Sequence, residues 1–175
     1  ENYMDQNTFL VTGASGFFGS ALCAELLRNG YHVIGLGRRE KGFLNDEVFE
    51  NKSFMFVRTD INKDIQSVLK DIEFDGIFHM ASQQPSSESL SYEDYYSGNV
   101  QTTLNVIRLA QERGSRFLAF SSTVAMFKKR LASSSIDEDA QPVLSNYYSF
   151  TKYFSEKLLE LELKGSGIKN FIIRF

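Results

Sequence analysis

At 175 residues the chain is long enough to bury one substantial core, and its length alone gives no argument for a second domain. A net charge of −3, with 42% hydrophobic and 23% charged residues, is ordinary for a globular domain and offers no basic footprint for nucleic acid, so a small-molecule partner is expected. A single cysteine, Cys23, excludes an internal disulfide, and two histidines leave a Cys/His zinc cage short of ligands, a usage that fits a reducing cytoplasm.

The first residues, ENYMDQN, are polar with no apolar signal core, and no apolar run approaches the roughly 20 residues of a membrane span. Met4 is a candidate natural start. In chain order, apolar, β-branched or aromatic runs at residues 8–11, 31–36, 54–57, 76–80, 116–120 and 170–175 read as six short strands. They are near-continuous rather than alternating, as strands buried on both faces of a parallel sheet are. Helical spacing lies between them. Leu22, Cys23, Leu26 and Leu27 form a stripe that stops at Asn29-Gly30. Ile61, Ile65, Val68, Leu69 and Ile72 form a second, and Val100, Leu104, Val106, Ile107 and Ala110 a third that ends at Gly114. Phe150, Phe154, Leu158 and Leu161 form a fourth, stopped by Gly165-Ser166-Gly167. Strands alternating with helices predict an α/β fold, a doubly wound parallel sheet of the Rossmann type with helices on both faces. The polar stretches 82–95 and 128–146 are long for loops and are candidates to carry function.

Between the first strand and the first helix stands Thr12-Gly13-Ala14-Ser15-Gly16-Phe17-Phe18-Gly19. A strand, a glycine turn and a helix in that order let backbone N–H groups and a helix N-terminus hold a pyrophosphate. Gly13 permits the tight turn, Gly16 the approach of a ligand and Gly19 the packing of helix on strand. A glycine-rich connection without a ligand is the plainer alternative, and the surrounding strand and helix argue against it. An NAD site of this kind carries Asp or Glu at the end of the second strand, roughly 20 residues after the glycines. That place reads Gly35-Leu36-Gly37-Arg38-Arg39, with no carboxylate. Arg38 offers space and charge for a 2′-phosphate, so NADP is expected, with NAD as the alternative. The other reading is a solvated basic turn beside Glu40.

Further on, Tyr148 and Lys152 stand four apart at the start of a helix and leave the same face. An ammonium beside a phenol favours the phenolate, which makes the tyrosine a usable acid or base near neutrality. Cys23, on the apolar stripe of the first helix, reads as core.

With these two motifs together, the chain resembles the short-chain dehydrogenase/reductase superfamily, in its extended branch of NAD(P)-dependent epimerases, dehydratases and reductases that act largely on nucleotide sugars. TGASGFFG matches the branch's TGxxGxxG, and Tyr148-Ser149-Phe150-Thr151-Lys152 matches YxxxK. The resemblance implies cofactor contacts from Gly13, Ser15, Gly16, Phe17, Phe18 and Gly19 of the loop, and from Asp60 and Ile61 beside the adenine. It adds Met80, Ala81 and Ser82 at the fourth strand's end, Asn99 in the following helix, Ser121 on the fifth strand, and Tyr148 and Lys152 themselves. Tyr148 is implied as the acid/base, Lys152 as the holder of the nicotinamide ribose, and Thr123 as the hydroxyl that orients the reacting oxygen, with Ser122 competing for that role. His79 reads as packing rather than as a participant.

Departures narrow the reaction. Sugar 4,6-dehydratases of the family place an acidic pair directly after the catalytic Thr, where this chain has Val124 and Ala125, leaving an epimerase or a ketone reductase. Met126-Phe127-Lys128 stands where the family has a Val-Tyr-Gly turn. The family's chain continues past the sixth strand into a smaller substrate domain, whereas this sequence ends at Ile173-Arg174-Phe175. Residues 1–175 are therefore expected to be the nucleotide-binding domain, without the C-terminal substrate domain and most substrate contacts. The resemblance also implies a homodimer through helices near 95–113 and 147–164, forming a four-helix bundle. The rival class is a non-catalytic NADP(H)-binding sensor or scaffold, which has no need of Thr123, Tyr148 and Lys152 together.

Overall fold

The computed structural model describes residues 7–39, 41–63, 65–86, 89–127 and 140–175. Its centre is β1 (Thr8–Thr12), where Leu10 and Val11 point to opposite faces and neither has any exposure. Burial on both faces is why this strand reads as a continuous apolar run. β2 (His32–Gly37) and β3 (Phe54–Arg58) extend the sheet on one side, and β4 (Gly76–His79), β5 (Phe117–Ser122) and β6 (Lys169–Arg174) on the other. The order is β3-β2-β1-β4-β5-β6 and every pairing is parallel. The chain reverses direction across the sheet between β1 and β4, the place where α/β sheets of this kind open a crevice.

The two faces bury different helices. Leu10, Ile34, Leu36, Ile77, Leu118 and Phe120 pack with α5 (Thr102–Glu112) through Val106, Ile107 and Leu109, and with α6 (Tyr147–Glu162) through Leu159. On the opposite face Val11 and Val33 meet Cys23 and Leu26 of α1 (Phe17–Arg28), with Val48 of α2 (Asp46–Phe49). Burial pushes the Cys23 thiol up to about 12, so it is core and not a nucleophile. The α1 layer covers only half the sheet. Across β4–β6 that face is a trough of about 680 Å³ lined by Phe78, Phe117, Phe171 and Ile173, the last two roughly half exposed.

The predicted second helix is reduced to α3 (Ile65–Val68), a single turn. Ile61, Ile65 and Leu69 are buried as the spacing foretells, but turns supply that spacing around an Asx-type bond from the Asn62 N–H to Asp60 Oδ1 at 3.0 Å. Residues 92–95 belong to a helix and not to a loop, because Ser91 and Asp94 form a reciprocal cap that starts α4 (Tyr92–Tyr95). Its chain runs on through a π-helical turn (Tyr96–Gln101) into α5. Likewise Asn45 caps α2 by accepting from Val48 N–H at 2.9 Å. Residues 128–139 of the second predicted loop, with Lys128 of its entry turn, lie outside the described residues.

Candidate active site

The glycine turn is compressed against two neighbours. Gly13 has φ +67°, and a Cβ there would stand 2.7 Å from the Ala81 nitrogen at the end of β4. A Cβ on Gly19 would fall 2.1 Å from the Gly13 carbonyl oxygen, so the first turn of α1 closes onto the loop itself. Gly16 is the N-cap of α1 with no side-chain cap, and the first turn carries no acidic residue. The positive end of the helix therefore has neither a capping side chain nor an acid in its own first turn. This cradle opens into a cavity of about 580 Å³. Gly13, Ser15, Gly16, Phe17, Phe18 and Gly19 line one wall, Arg38 and Arg39 the end of β2, and Asp60 and Ile61 the end of β3. Met80, Ala81 and Ser82 complete the β4 side.

The parallel register sets Thr12 beside His79, and a chain of bonds ties the turn to the helices behind the sheet. Ala81 N–H donates to Thr12 Oγ1 at 3.1 Å, which lies 2.7 Å from His79 Nδ1, while His79 Nε2 lies 3.1 Å from Thr103 Oγ1. Thr103 must donate its proton to the Asn99 carbonyl, 2.6 Å away, so its oxygen accepts from the imidazole. The proton therefore sits on Nε2 and Thr12 donates to Nδ1. Burial, with the charge of Lys152 as a second cause, lowers His79 to about 3, which keeps it neutral in this brace.

Asn99 is buried in the π-helical turn, and its side chain is engaged on both sides by protein. Its Oδ1 accepts from Ser82 Oγ at 3.0 Å and Gln83 N–H at 2.8 Å, and its Nδ2 donates to Thr151 Oγ1 at 2.9 Å and the Gln83 carbonyl at 3.4 Å. It holds the cavity wall against α6 instead of lining the cavity.

Beyond this wall lie the remaining predicted residues. β5 continues through Ser121 and Ser122 because β6 pairs with it as far as Arg174. Ser121 Oγ donates to the His79 carbonyl at 3.2 Å. Ser122 Oγ is buried with no hydrogen-bond partner. Thr123 Oγ1 accepts from Ala125 N–H at 3.1 Å and caps the 3₁₀ turn Val124–Met126, which leaves its own proton to donate. Facing this strand end, α6 starts at Asn146, whose side chain accepts from Ser149 N–H at 2.8 Å. Tyr148 and Lys152 lie on the buried side of α6, with Lys152 1% exposed. The Lys152 ammonium donates to the Ser121 carbonyl and stands 4.1 Å above the Phe120 ring. Burial lowers it to about 7, against the opposing pull of Glu156.

Thr12, Thr103 and Gln83 were not singled out from the sequence, because their work depends on which strands and helices adjoin. Glu156 was also missed, although its place four residues after Lys152 puts it on the same helix face.

The sequence profile of the NAD dependent epimerase/dehydratase family matches residues 9–175. A Bacillus subtilis protein named as the uncharacterized UDP-glucose epimerase YtcB is 30% identical over 179 residues, covering 95% of this chain and 55% of its own. The UDP-glucose 4-epimerase of Caenorhabditis elegans is 29% identical over 86% of this chain and 48% of its own. Among solved structures, the UDP-glucuronic acid 4-epimerase from Bacillus cereus in complex with NAD superimposes with a TM-score of 0.82 at 28% identity, over 95% of this chain and 56% of that one. The chain thus spans about half the length of the curated relatives it matches. Among the described residues, no helix is long and apolar enough to cross a membrane.

A lysine lowered by burial makes stability depend on pH in a defined direction. Below about 7 the native chain carries the buried charge, and between there and the ordinary lysine value of 10.5 the native state sheds a proton that the unfolded state keeps. Stability from this group therefore rises with pH over that window, by at most about 1.4 kcal/mol per unit. Lys152→Met removes that dependence. Its denaturation midpoint is expected to gain on the parent most near pH 6 and to lose that advantage toward pH 10. A gap that stays constant across the range would show that Lys152 titrates as a solvated lysine.

Proposed function

Because the chain belongs to the NAD dependent epimerase/dehydratase family, we propose that its residues form the dinucleotide-binding part of an enzyme that epimerises the sugar of a nucleotide sugar. The observation that carries the reading is the uncapped glycine cradle, tied through the Thr12–His79 brace and the Ser121 hydroxyl to a buried Lys152 that shares α6 with Tyr148. The cradle fits a dinucleotide: its wall is bare glycine backbone, and it meets a helix N-terminus with no side-chain cap and no acidic residue in its first turn. Gly13, Gly16 and the first turn of α1 would take the pyrophosphate, Asp60 and Ile61 the adenine side, and Lys152 the nicotinamide ribose. A nicotinamide dinucleotide held there would supply the hydride chemistry of an epimerisation. Tyr148 would move the proton of the sugar hydroxyl, and Thr123, with its hydroxyl proton free to donate, would orient the same oxygen. The relatives named above as UDP-glucose and UDP-glucuronic acid epimerases support a uridine diphosphate sugar as the substrate. Tyr148→Phe tests the chemistry. In a longer chain that carries the substrate domain, with UDP-glucose and UDP-glucuronic acid as substrates, interconversion at C4 is expected to fall roughly 100- to 10,000-fold while dinucleotide affinity stays within a few-fold. Turnover that survives would remove Tyr148 from the acid/base role and favour a sensor.

A specific observation supports a second reading of the cofactor. Arg38 and Arg39 are exposed and line the cavity, the Arg58 Nε donates to the Arg38 backbone carbonyl at 3.2 Å, and the end of β2 carries no carboxylate among the described residues. This supports NADP, and with it a ketone reductase that exchanges free cofactor, although the solved relative named above is in complex with NAD. Calorimetric titration is expected to show tighter binding of NADP+ than NAD+, with Arg38→Ala weakening NADP+ about tenfold and NAD+ little. Equal loss for both, or preference for NAD+ in the parent chain, would leave the epimerase reading with NAD.

The homodimer belongs to the same proposal. Phe150 and Phe154 stack at 6.2 Å on the outer side of α6, both about 40% exposed, with Leu161 71% exposed beyond them. Such a stripe on a helix is suited to a second copy. Sedimentation is expected to give a dimer that Phe154→Glu converts to a monomer; a monomeric parent at high protein concentration would refute it.

A further inference from the structure

The buried side of α6 carries Tyr148, Lys152 and Glu156 at successive turns, and Glu156 has no solvent exposure. A carboxylate taken out of water is costly unless it is paired. Its partner comes from β6: Arg174 Nε donates to Oε1 at 3.0 Å and its terminal nitrogen to Oε2 at 2.8 Å. The same guanidinium lies 5.2 Å from the Phe127 ring, just past the turn capped by Thr123. One carboxylate thus joins α6, β6 and the segment after β5. As mere packing this would be better done by apolar side chains, which often replace buried ion pairs with no loss of stability. The place of Glu156 one helical turn from the buried Lys152, on the same side of α6, gives the charge a reason.

We propose that Glu156 is a positioning residue for Lys152: one helical turn away, it is the buried counter-charge that favours the ammonium form and its bond to the Ser121 carbonyl, and Arg174 fixes Glu156 in that place. The proposal rests on the reading of Lys152 as the cofactor-side lysine. The groups facing Lys152 leave few other sources of negative charge. From α6 come Tyr148 and Glu156, from β4 a neutral His79, from β5 only a carbonyl and the Phe120 ring, and from β6 Arg174 behind Glu156. Tyr95 of α4 reaches Tyr148, at 6.4 Å between rings. Burial pulls the ammonium down and Glu156 is the group that resists, in accord with the geometry. Arg174 moderates this, because its two bonds take up part of the carboxylate's charge while holding it still.

The test follows the titration of Lys152 directly, by ¹³Cε NMR of lysine-labelled chain, with the signal assigned from its loss in Lys152→Met. Glu156→Gln is expected to lower the Lys152 midpoint by about one unit or more, and Arg174→Gln, which leaves the carboxylate less neutralised, to raise it. Glu156→Asp, which keeps the charge, should lie closer to the parent than Glu156→Gln does. A role in packing alone would move stability without these opposite shifts, so unchanged midpoints in folded variants overturn the proposal. If Glu156→Gln fails to fold, Arg174→Gln decides: a raised midpoint supports the proposal, and an unchanged or lowered one overturns it. The measurement uses neither dinucleotide nor sugar. Failure of the Tyr148 or cofactor experiments would therefore remove the catalytic reading while leaving this coupling to stand or fall by itself.

Discussion

Everything at the mouth of the sheet depends on one crowded crossing, where the turn after β1 runs against the end of β4. Gly13 has only 2.7 Å for a Cβ before it meets the Ala81 nitrogen, and Gly19 still less before the Gly13 carbonyl. Two backbones can lie this close only without side chains between them. The closeness brings the N-terminus of α1 to the lip of the sheet and makes the cavity floor from backbone. It also sets Thr12 in register with His79, from which the brace through Thr103 and Asn99 reaches the helices on the other side. A methyl group at Gly19 would disturb every part of this chain, since the carbonyl it strikes belongs to the turn.

The two walls of the site use different electrostatic means. On the α1 side the polarity comes from peptide dipoles with no opposing acid, and nothing there needs to be buried as an ion. On the α6 side the chain buries formal charges, a lysine and a glutamate a turn apart, and holds them with a carbonyl, an aromatic face and an arginine. Backbone donors suit a ligand that arrives with its own charge. A buried lysine suits a task in which the charge must act on a neighbouring hydroxyl.

The central strands β1, β2 and β5 were legible because burial on both faces leaves a composition signal that needs no partner to be read, whereas β6 keeps one side exposed and was marked by its apolar run alone. Their ends were less so: β5 extends over Ser121 and Ser122 because β6 supplies hydrogen bonds there, which polar side chains do not announce. The apolar spacing from Ile61 to Ile72 misled because burial, and not helix, is what the spacing records. The short helices α2 and α4 could have been read from their caps, Asn45 and Ser91 with Asp94. The glycine loop and the Tyr148–Lys152 pair were visible because both are local in sequence. Asn99 was found by resemblance, and its brace was not, since its partners stand at Ser82 and Thr151. Arg174 and Glu156 meet only through the packing of β6 on α6.

The strand order bears on how the chain is made as well as on what it binds. During translation β1, β2 and β3 are complete at Arg58, and they can pair with one another as they emerge. The other edge of β1 then waits, with Leu10 and Val11 already in place, until β4 is finished at His79. A ribosome stalled between these points carries an apolar strand with an unpaired edge, the kind of surface that recruits chaperones or sticks to other chains. The glycine turn is thus made well before the strand that confines it, and the arginine on Glu156 comes later still. A nascent chain therefore has the phosphate cradle's sequence long before it has the cradle.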